Sequence, residues 1–172
     1  MRLGIYAGAF DPITAGHISV IERAARLLDQ LTVLVAVNPS KSTLFTTKER
    51  LEMIADAVAA LPNVRVASTE RFVVEFARKH QAKFLIRGLR GATDIEYETA
   101  MADANLALAP EIATIFIPAQ PELSKVSSSR LKELARTGAS ISGYCTKMVS
   151  DRLYERLNQQ ALNRQEVSYV GI

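Results

Sequence analysis

The sequence predicts an α/β domain: an open, doubly wound sheet of five parallel strands with flanking helices. Three observations predict it. Short runs rich in Val, Ile, Leu and Phe alternate from end to end with longer segments whose apolar residues fall three and four apart. The conspicuous polar clusters come just after strand-like runs, where open parallel sheets keep their ligand sites. The 172 residues, 48% of them hydrophobic, suffice for one well-buried core and are short for two.

The strand-like runs are residues 3–7, 31–37, 64–68, 84–87 and 114–117. Their length and lack of polar alternation suit strands buried on both faces. Between them the helical period predicts crossover helices over 18–29, 48–61, 72–80 and 94–108. Thr46 with Glu49 forms a capping-box signature before the second of these, and Pro62-Asn63 closes it. After the fifth strand, Pro118-Ala119-Gln120-Pro121 breaks the pattern, and Ser127-Ser128-Ser129 precedes the helical RLKELAR. A last amphipathic segment over 147–162 carries Met148, Leu153, Tyr154 and Leu157 at helical spacing. The domain is therefore expected to span 1–162. Residues 163–172 lack a clear period and are expected to form a tail, disordered or docked on a neighbour.

Composition narrows the function. No run of about 18 apolar residues could cross a bilayer, and the N-terminus lacks the basic, apolar, small-residue order of a secretory signal, so a soluble cytoplasmic protein with no membrane partner is expected. The single Cys145 can make no internal disulfide and has no local His or Lys pattern to activate it, so it reads as structural filler. The net charge of +3 comes from basic residues scattered among 18 acidic ones, with no Trp. No basic stripe or stacking platform is visible, which argues against nucleic acid and fits a small polyphosphate ligand.

Four polar clusters then fall on one edge of the predicted sheet. After the first strand comes GAFDPITAGH, residues 8–17, in which Thr14 is a cap for a helix opening at Ala15 or Gly16. Such a helix start presents unpaired N–H groups and partial positive charge, and His17 adds an N–H donor. After the second strand comes Asn38-Pro39-Ser40-Lys41; after the fourth, Arg87-Gly88-Leu89-Arg90; after the fifth, the loop into the serine run. Singly, each has a bland reading: Lys41 as a solvated charge, the arginines as partners of Asp94 and Glu96, the serines as an N-cap. Jointly they suit an anion as large as a nucleoside triphosphate. Neither GxGxxG after the first strand nor GxxxxGK[ST] occurs, so ordinary dinucleotide and P-loop sites lose their support.

At these residues the chain resembles the nucleotidylyltransferases with an [HT]xGH motif, here Thr14-Ala15-Gly16-His17. Within them it is similar to the bacterial phosphopantetheine adenylyltransferases. Four blocks match in order and spacing: GAFDPITAGH, NPSK followed by FTTKER, LIRGLRGATDIEYE, and VSSSRLKEL. The resemblance covers about residues 1–136 and implies a Rossmann-like fold, usually hexameric, that transfers the adenylyl group of ATP to 4'-phosphopantetheine with magnesium as helper. It implies catalytic roles for His17, Lys41 and Arg90. It places Ala9, Phe10, Gly88, Leu89, Glu98, Leu123, Ser124, Lys125, Val126, Ser127, Ser128 and Ser129 with these on ATP. Ala9, Lys41, Val73, Arg87 and Asn105 would face the acceptor. Magnesium would be held mainly through the ATP phosphates, with no residue assigned as its ligand.

Three positions depart from the family pattern. Ala9 stands where Thr or Ser is usual, removing a hydroxyl that orients the phosphates. Lys125 replaces a commoner aromatic or aliphatic residue, and Cys145-Thr146 lies where proline is common. The sequence therefore leaves open a related nucleotidylyltransferase with another phosphorylated acceptor, or a catalytically weak nucleotide-binding protein.

Overall fold

The computed structural model describes residues 1–169, and the side chains of all of these except Thr93 and 164–169. The elements run β1 (Leu3–Gly8), α1 (Ala15–Leu27), β2 (Gln30–Ala36), α2 (Thr47–Ala57), β3 (Val64–Thr69), α3 (Val73–Lys79), β4 (Phe84–Leu89), α4 (Ala92–Leu108), β5 (Ala113–Pro118), α5 (Ser128–Arg136) and α6 (Lys147–Tyr169). The five strands form one parallel sheet in the order β3-β2-β1-β4-β5. This is the doubly wound sheet expected from the alternation of apolar runs and helical periods.

Each face of the sheet carries its own apolar layer. One is built from Val20, Ile21 and Ala24 of α1, Met53 and Ile54 of α2, Leu131 of α5 and Val149 and Leu153 of α6, packed on Leu31, Val33, Val35 and Ile86. The other sets Val74 and Ala77 of α3, with Ala109 and Ile112, against Ile5, Ala7, Leu34 and Leu85. Alternate residues of β1 and β2 thus enter opposite layers, which is why these strands carry few polar residues.

The winding changes direction between β1 and β4, and there the sheet opens. β1 stays in register with β2 through Gly8↔Val35, but with β4 only through Tyr6↔Ile86. Beyond Tyr6 and Ile86 the two central strands part, leaving a crevice at their carboxyl ends.

Several boundaries differ from the sequence reading. α1 begins at Ala15 behind its Thr14 cap, as the cap predicted, which adds a turn ahead of the periodic run over 18–29. α2 ends at Ala57 rather than at 61. The chain turns after Val58, bringing the Asn63 side chain onto the terminal carbonyls of Ala25 and Leu28, at 2.8 and 3.1 Å. α6 continues to Tyr169, through most of the segment expected to be an irregular tail; residues 170–172 of that segment lie outside the described residues.

Candidate active site

The crevice is a cleft of about 210 Å³ whose walls include Tyr6, Phe10, Gly16, His17, Arg87, Gly88, Arg90, Asp94 and Glu98. Three of the four polar clusters therefore have a place in or beside it. His17 and Gly16 come from the start of α1, the arginines from the end of β4, and Glu98 from the second turn of α4. The segment before α5 reaches the same place: a Cβ on Gly16 would lie 3.3 Å from the Val126 carbonyl oxygen, so glycine here admits the loop as well as any ligand.

His17 is held in one orientation. Thr14 and His17 form a reciprocal capping box: Thr14 Oγ1 accepts from the His17 amide, and His17 Nδ1 accepts from the Thr14 amide at 3.1 Å. A backbone amide can only donate, so Nδ1 carries the lone pair and the ring proton sits on Nε2. Burial, helped by the Arg90 charge, lowers the His17 pKa to about 4. The imidazole is therefore neutral at physiological pH and offers one N–H. Its ring lies edge-on to Phe10, 5.1 Å between centroids.

Phe10 is itself constrained, with φ at 47°, in the left-handed region that non-glycine residues seldom adopt. Such a conformation costs on the order of 1–3 kcal/mol and persists where the surroundings impose it. Here the Phe10 ring is buried against Tyr6 and His17, and Arg50 donates to the Ala9 carbonyl at 2.9 Å on the preceding peptide. Arg50 is 3% exposed, and its Nε has no partner among the described residues.

At the helix start, the Ala15 amide donates to the Tyr144 carbonyl and the His17 amide to Thr14. The Gly16 N–H has no partner among the described residues, and Gly16 lines the cleft. Opposite it, Arg87 is ion-paired with Glu98, and Arg90 makes a two-pronged contact with Asp94 at 2.9 and 3.1 Å. Of the two carboxylates named from sequence as partners of the arginines, Asp94 is one, on Arg90, while Glu98 takes the place of Glu96, on Arg87.

Other predicted residues lie elsewhere. Lys41 is exposed on the β2–α2 loop and does not line the cleft. Val73 opens α3 and packs on the second apolar layer, and Asn105 is half-buried on α4; neither reaches the cleft. The Ser128 hydroxyl donates to the Pro12 carbonyl at 2.7 Å, so in this structure it braces the first loop. Ser127 caps α5 through the Arg130 amide, Ser129 and Lys125 are exposed, and the Leu123 and Val126 carbonyls approach Gly16. The Leu89 carbonyl accepts from Ala119, whose residue lines the cleft.

Sequence reasoning missed three residues. Tyr6 sits inside a strand run and gives no polar signal. Arg50 looks like an ordinary helical cation. Asp11 was read only as part of a turn, yet its buried carboxylate accepts from the Leu44 and Phe45 amides, both at 2.9 Å, and from Lys132 Nζ at 3.0 Å. It ties together the first loop, the far end of the Lys41 loop and α5.

A parallel α/β sheet with a polar cleft of basic and amide donors at its switch point is the architecture of a nucleotide-binding protein, and comparison with known proteins narrows the class. The family model described as Cytidylyltransferase-like matches residues 5–134. Phosphopantetheine adenylyltransferases of Lachnoclostridium phytofermentans and Levilactobacillus brevis are 44% and 45% identical over 92% and 91% of this chain and 97% and 98% of their own. That of Synechococcus elongatus is 45% identical over 90% of this chain and 93% of its own. A crystal structure from Vibrio parahaemolyticus, assigned as a nicotinate-nucleotide adenylyltransferase, superposes with a TM-score of 0.68 at 20% identity, over 89% of this chain and 99% of that one, and shows the shared fold. The chain belongs to the phosphopantetheine adenylyltransferase family of the cytidylyltransferase-like proteins.

Proposed function

We propose that this cleft transfers the adenylyl group of ATP to 4'-phosphopantetheine, giving dephospho-coenzyme A and pyrophosphate. The observation that carries the reading is the convergence, at the sheet's switch point, of the neutral His17 donor and the Gly16 N–H on Arg87 and Arg90. An oxygen of the acceptor phosphate attacks the α-phosphorus, the bond from that phosphorus to the bridging oxygen breaks, and pyrophosphate leaves. A phosphomonoester with a second pKa near about 6 is already ionised at neutral pH, so the reaction demands no general base. What it demands is alignment and fixed donors on the developing charge.

In this reading His17 Nε2–H donates to an α-phosphate oxygen, with the α1 N-terminus behind it. Arg90 holds ATP phosphates and Arg87 the acceptor phosphate. Glu98, Gly88, Leu89 and the 123–129 segment enclose the nucleotide. By the family resemblance alone, Lys41 would act on the reacting phosphates and Val73 and Asn105 would meet the pantetheine arm where it extends beyond the cleft described above. Both arginines are paired with carboxylates, so arriving phosphates exchange one ion pair for another instead of meeting bare cations.

The cleft's carboxylates, Asp94 and Glu98, are engaged by arginines, and no group of three or more His, Cys, Asp or Glu residues able to hold a metal occurs among the described residues. This donor set fits magnesium carried on ATP phosphates with most of its waters, rather than a protein cage. Bound there, it would offset the charge on the leaving pyrophosphate. No described helix is long and apolar enough to cross a membrane. We place the enzyme in the cytoplasm as a homo-oligomer, a hexamer by its family resemblance.

The test is pyrophosphate release by the purified chain with ATP, magnesium and 4'-phosphopantetheine. Release that vanishes without the acceptor is expected. ATP binding with no acceptor-dependent release would overturn the reading.

A further inference from the structure

Tyr6 is a polar group that the mechanism above does not use. Its ring is 7% exposed, lies edge-on to Phe10 at 5.4 Å and stands 6.4 Å from His17. It lines the cleft, and its hydroxyl has no hydrogen-bond partner among the described residues. The hydroxyl oxygen is not among the fully buried side-chain atoms that lack a partner, so it opens onto the cleft and is available to a ligand, while the ring below it is packed in the core. The hydroxyl lies where the strands part: a Cβ built on Gly88 would meet it at 3.4 Å. Since Tyr6 pairs in register with Ile86, its side chain shares the sheet face of Ile86 and Gly88, the face that α1 and His17 cover.

We infer that the Tyr6 hydroxyl donates a hydrogen bond to a phosphate oxygen of the bound nucleotide, a further binding group for the adenylyl transfer proposed above and resting on that reading. The nucleotide is favoured over the acceptor because His17, Gly16 and Gly88 lie on the same face. An uncharged donor also suits a cleft whose arginines are already balanced by Glu98 and Asp94. Burial holds the phenol's pKa well above its ordinary value, so the hydroxyl keeps its proton throughout the working range.

Tyr6→Phe removes only the O–H. The kcat/KM for ATP should fall about tenfold to a hundredfold, the range for a hydrogen bond to a charged group, while the KM for 4'-phosphopantetheine stays within twofold and the melting temperature holds or rises. An ATP kcat/KM within twofold of the parent would overturn the inference. So would a loss confined to the acceptor's KM, or a drop of several degrees in melting temperature, which would make the hydroxyl structural. A parent chain without turnover would defeat the adenylyltransferase reading alone. Calorimetry with ATP then decides for Tyr6: tenfold weaker binding by the variant sustains it, and equal affinity overturns it.

Discussion

At the residue scale, His17 joins two jobs in one ring. Nδ1 completes the cap of α1, and that bond leaves Nε2–H as the proton-bearing side. A donor aimed at developing charge typically supplies a hundredfold to thousandfold in rate, so His17→Ala should lower kcat by about that factor. Its folding cost should be modest, about 1 kcal/mol for the lost cap, and steady-state kinetics beside a denaturant melt separates the two. The same burial makes stability depend on pH. With a folded pKa of about 4, below the model imidazole's 6.5, the unfolded chain binds the extra proton between these values. The His17 contribution is complete above pH 6.5 and is lost as pH falls towards 4. Denaturant midpoints measured from pH 7 to 4 should fall more steeply for the parent than for His17→Ala. Parallel slopes would contradict a neutral, partly buried imidazole.

At the element scale, the phosphate-facing loops are held by long-range struts. Asp11 links the first loop to Leu44 and Phe45 and, 121 residues away in sequence, to Lys132. Ser128 reaches Pro12 across 116 residues, and Arg50 holds the Ala9 carbonyl. Removing one partner of a buried charge pair costs about 3–5 kcal/mol because the other is left uncompensated. Asp11→Ala should therefore destabilise the fold by about that much in a denaturant melt, and Asp11→Asn should not rescue it, because its one carbonyl oxygen can serve only one of the two amides and its NH2 then faces another donor. An Asp11→Asn variant as stable as the parent would mean that neither the second oxygen nor the Lys132 pairing supports the fold. These struts also mark the limit of what was legible. The caps at Thr14 and Thr46 could be read because a capping box lies within four residues, and the Arg90–Asp94 pair because one helical turn joins it. Asp11, Arg50 and Ser128 could not, since their partners are brought near only by the finished sheet.

At the scale of the whole molecule, the fold was legible because both sheet faces are covered, which makes strands short apolar runs and helices visibly periodic. The exception is α4. Its ends were readable, but its side chains follow no single buried stripe: Ile95, Tyr97, Leu106 and Leu108 are all about half or more exposed. Its first turns supply Asp94 and Glu98 to the cleft, so the helix is tied to the site at one end and presents apolar surface along its length. At helical spacing Ile95 and Leu106 share one side of α4 and Tyr97 and Leu108 the other, so the helix exposes apolar side chains on two sides. In the homo-oligomer proposed above, a second copy of the chain would cover part of this surface. Light scattering should find the parent chain oligomeric at micromolar concentration, and Leu106→Glu with Leu108→Glu should shift it to a smaller species. Because Arg87 leans on Glu98 of this same helix, the smaller species should also bind its phosphorylated acceptor less tightly. A parent chain that is monomeric, with acceptor affinity untouched by the paired substitution, would leave the apolar surface of α4 without this role.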